Sequence, residues 1–300
     1  DDLKMKRFVL GRENSLSEIK LIREQTDKEL EVFVHGALCV SYSGQCFTSE
    51  AIGGRSANRG QCAQSCRFSY EMIVDGEKIN HGDRNYLVSP QDLCGIAEIP
   101  ELIDIGVQSF KIEGRLKTPE YVASAAQEYR LAIDKHFSQN DLKPIEIENA
   151  KQRMATTYSR GFYPGWLNGV NHQELVNGTY SNHRGYEIGR ISKTEQNQIT
   201  LELSHPIELS PGDGIKWSYL EKGQTIEGGA QIYSLHKVSA KLCKIELQRD
   251  IKIQNNFVGA KVYLNHDHVL KKNLLKSFTD KNQFKKIPVS FKIVVEINHP

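Results

Sequence analysis

Apolar positions in the first half of the chain follow two periods in turn. KRFVLG (6–11), LEVFVHG (30–36) and SFKIEG (109–114) alternate with the period of two that marks a strand. Between them the spacing lengthens to that of an amphipathic helix. SLSEIKLIREQ (15–25) sets Ser15 and Glu18 at capping-box spacing. TPEYVASAAQEYRLAID (118–134) offers Thr118 as a cap and Pro119 in the first turn, and IEIENAKQRMATTYS (145–159) adds a last helix. NYLVSPQDLCGIAEIPELIDIG (85–106) reads as a short strand and then a helix entered at Pro90, with Cys94 on that helix beside Leu93 and Ile96. Such alternation predicts parallel strands joined by crossover helices. Three or four units of this kind are too few to close an eightfold barrel. The expected class is α/β over residues 1–150, as the C-terminal half of a TIM-like (β/α) barrel.

The texture changes after residue 150. Residues 151–180 complete the last helix and run into an aromatic, glycine-rich junction, RGFYPGWLNG (160–169). From 181 to 268 the pattern is all β: GYEIGRI, QITLEL, GDGIKW, AQIYSL, CKIELQ and AKVYLN are short alternating runs separated by turn residues. SPGDG (210–214) is a tight turn between two of them. This predicts a small closed β-barrel. Residues 269–300 read as a Lys-rich connector and the start of a further domain. Both ends look cut, since DDLKMKRFVL resembles the interior of a longer protein.

No run is long and apolar enough to span a membrane, so no membrane partner is expected. The net charge of +2 is uneven, −6 over residues 1–150 and +8 over 151–300. The basic half could lean on a polyanion, with Lys271, Lys272, Lys276, Lys285 and Lys286 as candidate phosphate contacts. A plain scatter of surface charge is the simpler alternative.

Strand parity nominates a first set of site residues. In LEVFVHG, Val32 and Val34 share one face while Glu31, Phe33 and His35 share the other. In SFKIEGR, Phe110 and Ile112 oppose Lys111 and Glu113. Barrels keep their chemistry at the C-terminal ends of strands, which makes His35, Lys111, Glu113 and Arg115 the catalytic candidates. An ordinary ion pair of Lys111 with Glu113 or Glu31 is the competing reading.

Four of the six cysteines, Cys39, Cys46, Cys62 and Cys66, crowd the loop-like stretch 39–66, whereas Cys94 and Cys243 sit among apolar neighbours as core thiols. Disulfides would need an oxidising compartment. Structural zinc prefers two tight knuckles, and the six residues between Cys39 and Cys46 are loose for one. An iron–sulfur cluster takes four thiolates at irregular spacing, so the spacing favours it, with zinc as the alternative metal. Arg55, Arg59 and Arg67 would tune such a cluster or bind an anion beside it.

The run EVFVHGALCVSYSGQCFTSEAIGGRSANRGQCAQSCR (31–67) closely resembles the signature of peptidase family U32, the collagenase-like proteases, and SFKIEGRLKTPEYVASAAQEYR (109–130) resembles its next block. The resemblance covers about residues 5–180, and GGRSANRGQCAQSCR looks most like the long-form, ribosomal-RNA-hydroxylating branch. It implies a (β/α) barrel whose N-terminal half is not in this chain. It also implies a 4Fe-4S cluster on Cys39, Cys46, Cys62 and Cys66, a link to prephenate as co-substrate, and a cytoplasmic setting. The implied reaction is hydroxylation of an RNA pyrimidine at C5, a cytidine of large-subunit ribosomal RNA for the long form and tRNA for the shorter one. Two alternatives stand beside it. A peptidase would need an activated nucleophile or a metal-bound water, and neither a nucleophile elbow nor an HExxH motif is present. An RNA-binding module with a structural cluster or zinc would use the basic half and aromatics such as Tyr163 and Trp166.

Overall fold

The two textures fold around two separate apolar cores. The computed structural model describes residues 4–169, 171–195, 197–221, 224–248, 257–280, 289, 290 and 292. In the first half the elements are β1 (Arg7–Val9), α1 (Leu16–Glu24), β2 (Glu29–Ala37), α2 (Thr48–Gly53), β3 (Met72–Val74), β4 (Glu77–Ile79), β5 (Asp92–Cys94), α3 (Ile99–Ile105), β6 (Ser109–Ile112), α4 (Pro119–Phe137) and α5 (Pro144–Thr157). The short β7 (Phe162–Tyr163) and α6 (His172–Leu175) follow. The predicted caps are in place. Ser15 and Glu18 close a reciprocal capping box on α1, and the Thr118 hydroxyl accepts the Tyr121 N–H at the start of α4.

β2 is the spine of the first sheet. Its first half lies parallel to β1 on one side and to β6 on the other, as expected of βα units. Its last residues, His35 to Ala37, pair antiparallel with β5, and β5 carries β7 in parallel. The expected run of parallel strands is therefore interrupted: β1, β2 and β6 keep that arrangement and β5 reverses it. The helix expected from Pro90 begins at Ile99 instead, with Pro100 in its first turn, and Cys94 sits on strand β5. Three fully buried residues in a row carry no periodicity by which a strand could be told from a helix. The core beneath joins Ile19, Val32, Val34, Leu93, Ile99, Leu102, Ala125, Tyr129 and Met154. Tyr163 and Trp166 pack against its edge.

The second half contains all six expected strands: β8 (Tyr186–Glu195), β9 (Gln198–Leu203), β10 (Gly214–Glu221), β11 (Gln224–Ser239), β12 (Leu242–Leu247) and β13 (Lys261–His266). They close in the order β10-β11-β12-β9-β8-β13, antiparallel throughout. Closure removes every free edge. The interior holds Ile188, Ile199, Leu201, Ile215, Ile232, Ile245, Val262 and Leu264, with Cys243 among them as expected. Each such aliphatic contributes about 1.5–3 kcal/mol on burial.

The Lys-rich connector is in part a helix, α7 (His268–Thr279), with its N–H at Leu270 accepted by Asp267. α7 buries Leu274 and packs on α4, while Lys271, Lys272 and Lys276 face solvent. Lys285, Lys286 and most of the last strand pattern lie outside the described residues. The two cores are joined by polar bonds: Tyr186 Oη donates to Glu148 at 2.5 Å, Thr225 Oγ1 to Asp83 at 2.8 Å, and Lys216 Nζ to the His183 carbonyl at 2.9 Å.

A candidate thiol and cation site at the end of β2

The chain leaves β2 through Gly36, whose φ of +116° belongs to the region that favours glycine. A Cβ there would lie 2.4 Å from the Glu113 carbonyl oxygen, so the ends of β2 and β6 meet only because this residue has none. The cysteine loop starts three residues later, at Cys39. It is held by bonds from outside itself. Arg67 donates to the Leu38 carbonyl at 3.2 Å, to Ser89 Oγ at 2.9 Å and to the Pro90 carbonyl, tying the loop's end to its start. Arg115 donates to the Gly60 carbonyl at 2.8 Å, and its own N–H is accepted by Glu113 at 2.8 Å. Asn58 accepts the Cys46 N–H at 3.2 Å, and Tyr70 Oη donates to the Ser65 carbonyl at 2.8 Å.

Within this frame Cys66 is the thiol on which the loop's other three act. Burial pushes the Cys66 thiol above the usual thiol range, Arg67 pulls it back, and Cys39, Cys62 and Cys46 each push it up again. The remaining two behave as core thiols. Cys94 and Cys243 are buried, and burial raises them to about 12 and about 11.

A metal group is implied by the resemblance, and the donor set can be tested against it. Four soft thiols suit iron–sulfur ligation. The Gln64 N–H points at Cys62 Sγ from 3.4 Å, and the buried Ser65 hydroxyl has no protein partner, as a donor toward an inorganic sulfide would. Among the described residues, no three His, Cys, Asp or Glu side chains are grouped to hold a single metal ion. Four sulfurs on one zinc would stand only about 3.8 Å apart, given a Zn–S bond of about 2.3 Å. A cubane spreads its thiolates over four irons and needs them further apart. By donor type the four thiols suit such a cluster, with zinc as the alternative metal.

The catalytic candidates separate. Lys111 pairs with Glu31 at 3.0 Å, the plain ion pair considered from the sequence, and stands apart from the thiols' hydrogen-bond frame. Glu113 and Arg115 brace the loop. His35 is 1% exposed and ringed by Tyr121, Tyr129 and Phe162, each with its centroid 5.5 Å away. Burial lowers it to about 3, so it is neutral at neutral pH, with Nδ1 3.4 Å from Tyr129 Oη and Nε2 without a partner among the described residues. Arg55 and Arg59 are exposed and make no side-chain hydrogen bond among the described residues.

Sequence reasoning missed a polar centre beside the loop. Asp92 and Arg160 form an ion pair with both side chains 5% exposed, bonded at 2.9 and 3.2 Å through the guanidinium and at 2.9 Å through the Arg160 N–H. Arg160 also donates to Tyr158 Oη at 3.1 Å. Lys117 Nζ stands 3.2 Å from the Tyr158 ring centroid, and His183 stacks on the same ring at 5.3 Å. Lys117 lacks a salt bridge among the described residues. Burial, then Arg160, lowers it to about 8 against the opposing pull of Asp92 and Glu113. Burial acts to lower both Arg160 and Arg67, and Cys66 acts to raise both. No local pattern announces partners 68 residues apart.

Comparison with known proteins agrees with the motif. The profile of Peptidase family U32 matches residues 1–177. The chain is 42% identical over 224 residues to a tRNA hydroxylation protein of Bacillus subtilis, covering 70% of this chain and 51% of that protein. It is 40% identical over 225 residues to an uncharacterized protease of Methanocaldococcus jannaschii, covering 70% and 54%. It is 34% identical over 218 residues to a 23S rRNA 5-hydroxycytidine synthase of Escherichia coli, covering 71% and 33%. The chain thus spans about half or less of the curated relatives it matches. No solved structure matches it.

Proposed function

The chain belongs to peptidase family U32, and from that premise we propose that it is part of an iron–sulfur enzyme that hydroxylates a pyrimidine of RNA at C5, a cytidine of large-subunit ribosomal RNA. What supports this reading is that Cys39, Cys46, Cys62 and Cys66 lie within one loop and that the other three act on the Cys66 thiol. Relatives named for hydroxylation of tRNA and of 23S rRNA support the same class. The four thiolates would hold a 4Fe-4S cluster, which supplies one-electron chemistry that no side chain provides.

The other residues have derivable tasks. Lys117, without a salt bridge among the described residues, is the cation that can hold a carboxylate of an anionic co-substrate, for which prephenate is the candidate. Arg160 and Arg67 are engaged in bracing the site. Lys117 at about 8 keeps its proton at neutral pH and can give it up in a turnover. His35 is neutral and offers only a lone pair or an N–H. A peptidase is less well served. Among the described residues no histidine nitrogen bonds to any of the four thiols, whereas a thiol protease needs that pair.

The test is nucleoside mass spectrometry of RNA incubated with anaerobically purified full-length protein. Hydroxycytidine should form with the wild type and vanish with Cys62→Ala. Full hydroxylation by the Cys62→Ala protein would overturn the reading.

A further inference from the structure

A groove of about 840 Å³ runs between the two cores. We propose that it seats the backbone of the substrate RNA next to the target base, with its phosphates held between the wall cations Arg84 and Arg190 and the Arg184 guanidinium that lines the groove. The inference rests on the reading of this chain as an RNA-modifying enzyme, and it names where that RNA lies.

Arg184 lines the groove yet is 6% exposed. Its guanidinium is clamped between two rings, 4.0 Å from the Tyr180 centroid and 4.6 Å from that of Tyr263. One terminal nitrogen donates to Ser218 Oγ at 2.7 Å and lies 3.4 Å from a Glu227 carboxylate oxygen. The Nε–H has no partner among the described residues. Burying a charged donor without an acceptor is costly, and the two rings stop it from turning outward to find water. An anion with several acceptor oxygens resolves that cost, and a guanidinium edge matches phosphate geometry.

The surrounding charges favour the same ligand. Arg84 and Arg190 stand exposed on the walls without a salt bridge among the described residues. Among the described residues the lining carries five cations, Arg84, Lys151, Arg184, Arg190 and Lys261, against three carboxylates, Asp83, Glu148 and Glu187, of which Glu187 is paired with Lys261 at 3.0 Å. The groove also leads somewhere. Its lining includes Ser159, next to Arg160, and Phe162, whose ring packs on His35. A strand lying along it brings a neighbouring base toward the cations and thiols.

The experiment measures fluorescence anisotropy of a labelled single-stranded RNA of roughly a dozen nucleotides, titrated with full-length protein over a range of salt. Arg184→Gln should weaken binding about ten-fold, the value of one charge-assisted bond. The wall variants Arg84→Ala and Arg190→Ala, which touch no core, should each reduce the slope of log K against log salt by about 0.7. They decide the matter if the buried variant fails to fold. Hydroxycytidine formation should show a raised KM with kcat retained. Unchanged affinity and slope in the wall variants overturn the groove, and leave the hydroxylase reading intact if wild type still forms hydroxycytidine. Wild type that neither binds the RNA nor forms hydroxycytidine overturns both.

Discussion

Replacing Asp92 with Asn should expose how much the polar centre depends on a buried charge. The two side chains are 5% exposed, and the carboxylate accepts three N–H groups from Arg160. Asn keeps the shape and one acceptor but turns an amide N–H₂ toward a donor, and it strands the guanidinium without its counter-charge. Breaking one side of a buried pair costs about 3–5 kcal/mol. With a urea m value of about 2 kcal/mol/M, the unfolding midpoint should fall by about 2 M. The assay is urea unfolding of wild type, Asp92→Asn, and a double variant, Asp92→Leu with Arg160→Met, in which no charge remains to be stranded. The double variant should recover most of the loss, because two apolar groups of similar volume escape the desolvation cost that one orphaned charge bears. A midpoint shift below about 0.3 M, or a double variant no more stable than Asp92→Asn, would refute this reasoning.

Three further outcomes follow from the site. His35 is held near 3 in the fold and titrates at about 6.5 when unfolded, so the unfolded chain binds a proton that the folded chain refuses between those values. Its contribution is complete above pH 6.5 and declines as pH falls, by about 1.4 kcal/mol per unit; urea midpoints at pH 7 and 5 should separate wild type from His35→Gln by about 2 kcal/mol, and equal pH dependence would contradict it. Gly36→Ala should destabilise by about 1–3 kcal/mol, since φ is +116° and the new carbon would meet the Glu113 carbonyl; the same substitution should loosen the Arg115–Gly60 strut, seen as faster thiol alkylation at Cys62, and an unchanged rate would refute the link. Ser15→Ala should lower stability by about 1 kcal/mol through loss of the α1 capping box, and a thermal melt equal to wild type would count against it.

What the sequence announced was local. Ser15 and Glu18, Thr118 and Pro119, and the six alternating runs of the barrel all carry their signal within a few residues of the structure they form. The cysteine set was legible because its members lie close along the chain. The antiparallel β5 was not, because Asp92, Leu93 and Cys94 are all buried and their order says nothing of direction. The β3–β4 hairpin did have a signal, the Asp75–Gly76 turn, and both residues adopt positive φ. The Asp92–Arg160 pair and the Arg184 clamp depend on partners far away in sequence, which only folding brings together.

The most direct test of the central claim is iron and sulfide quantitation on full-length protein purified without oxygen. A shared cluster predicts brown protein with about four irons and four sulfides per chain, lost on alanine substitution at Cys39, Cys46, Cys62 or Cys66 and kept on substitution at Cys94 or Cys243. Stoichiometric zinc with no sulfide, or iron retained after two of the four thiols are removed, would contradict it.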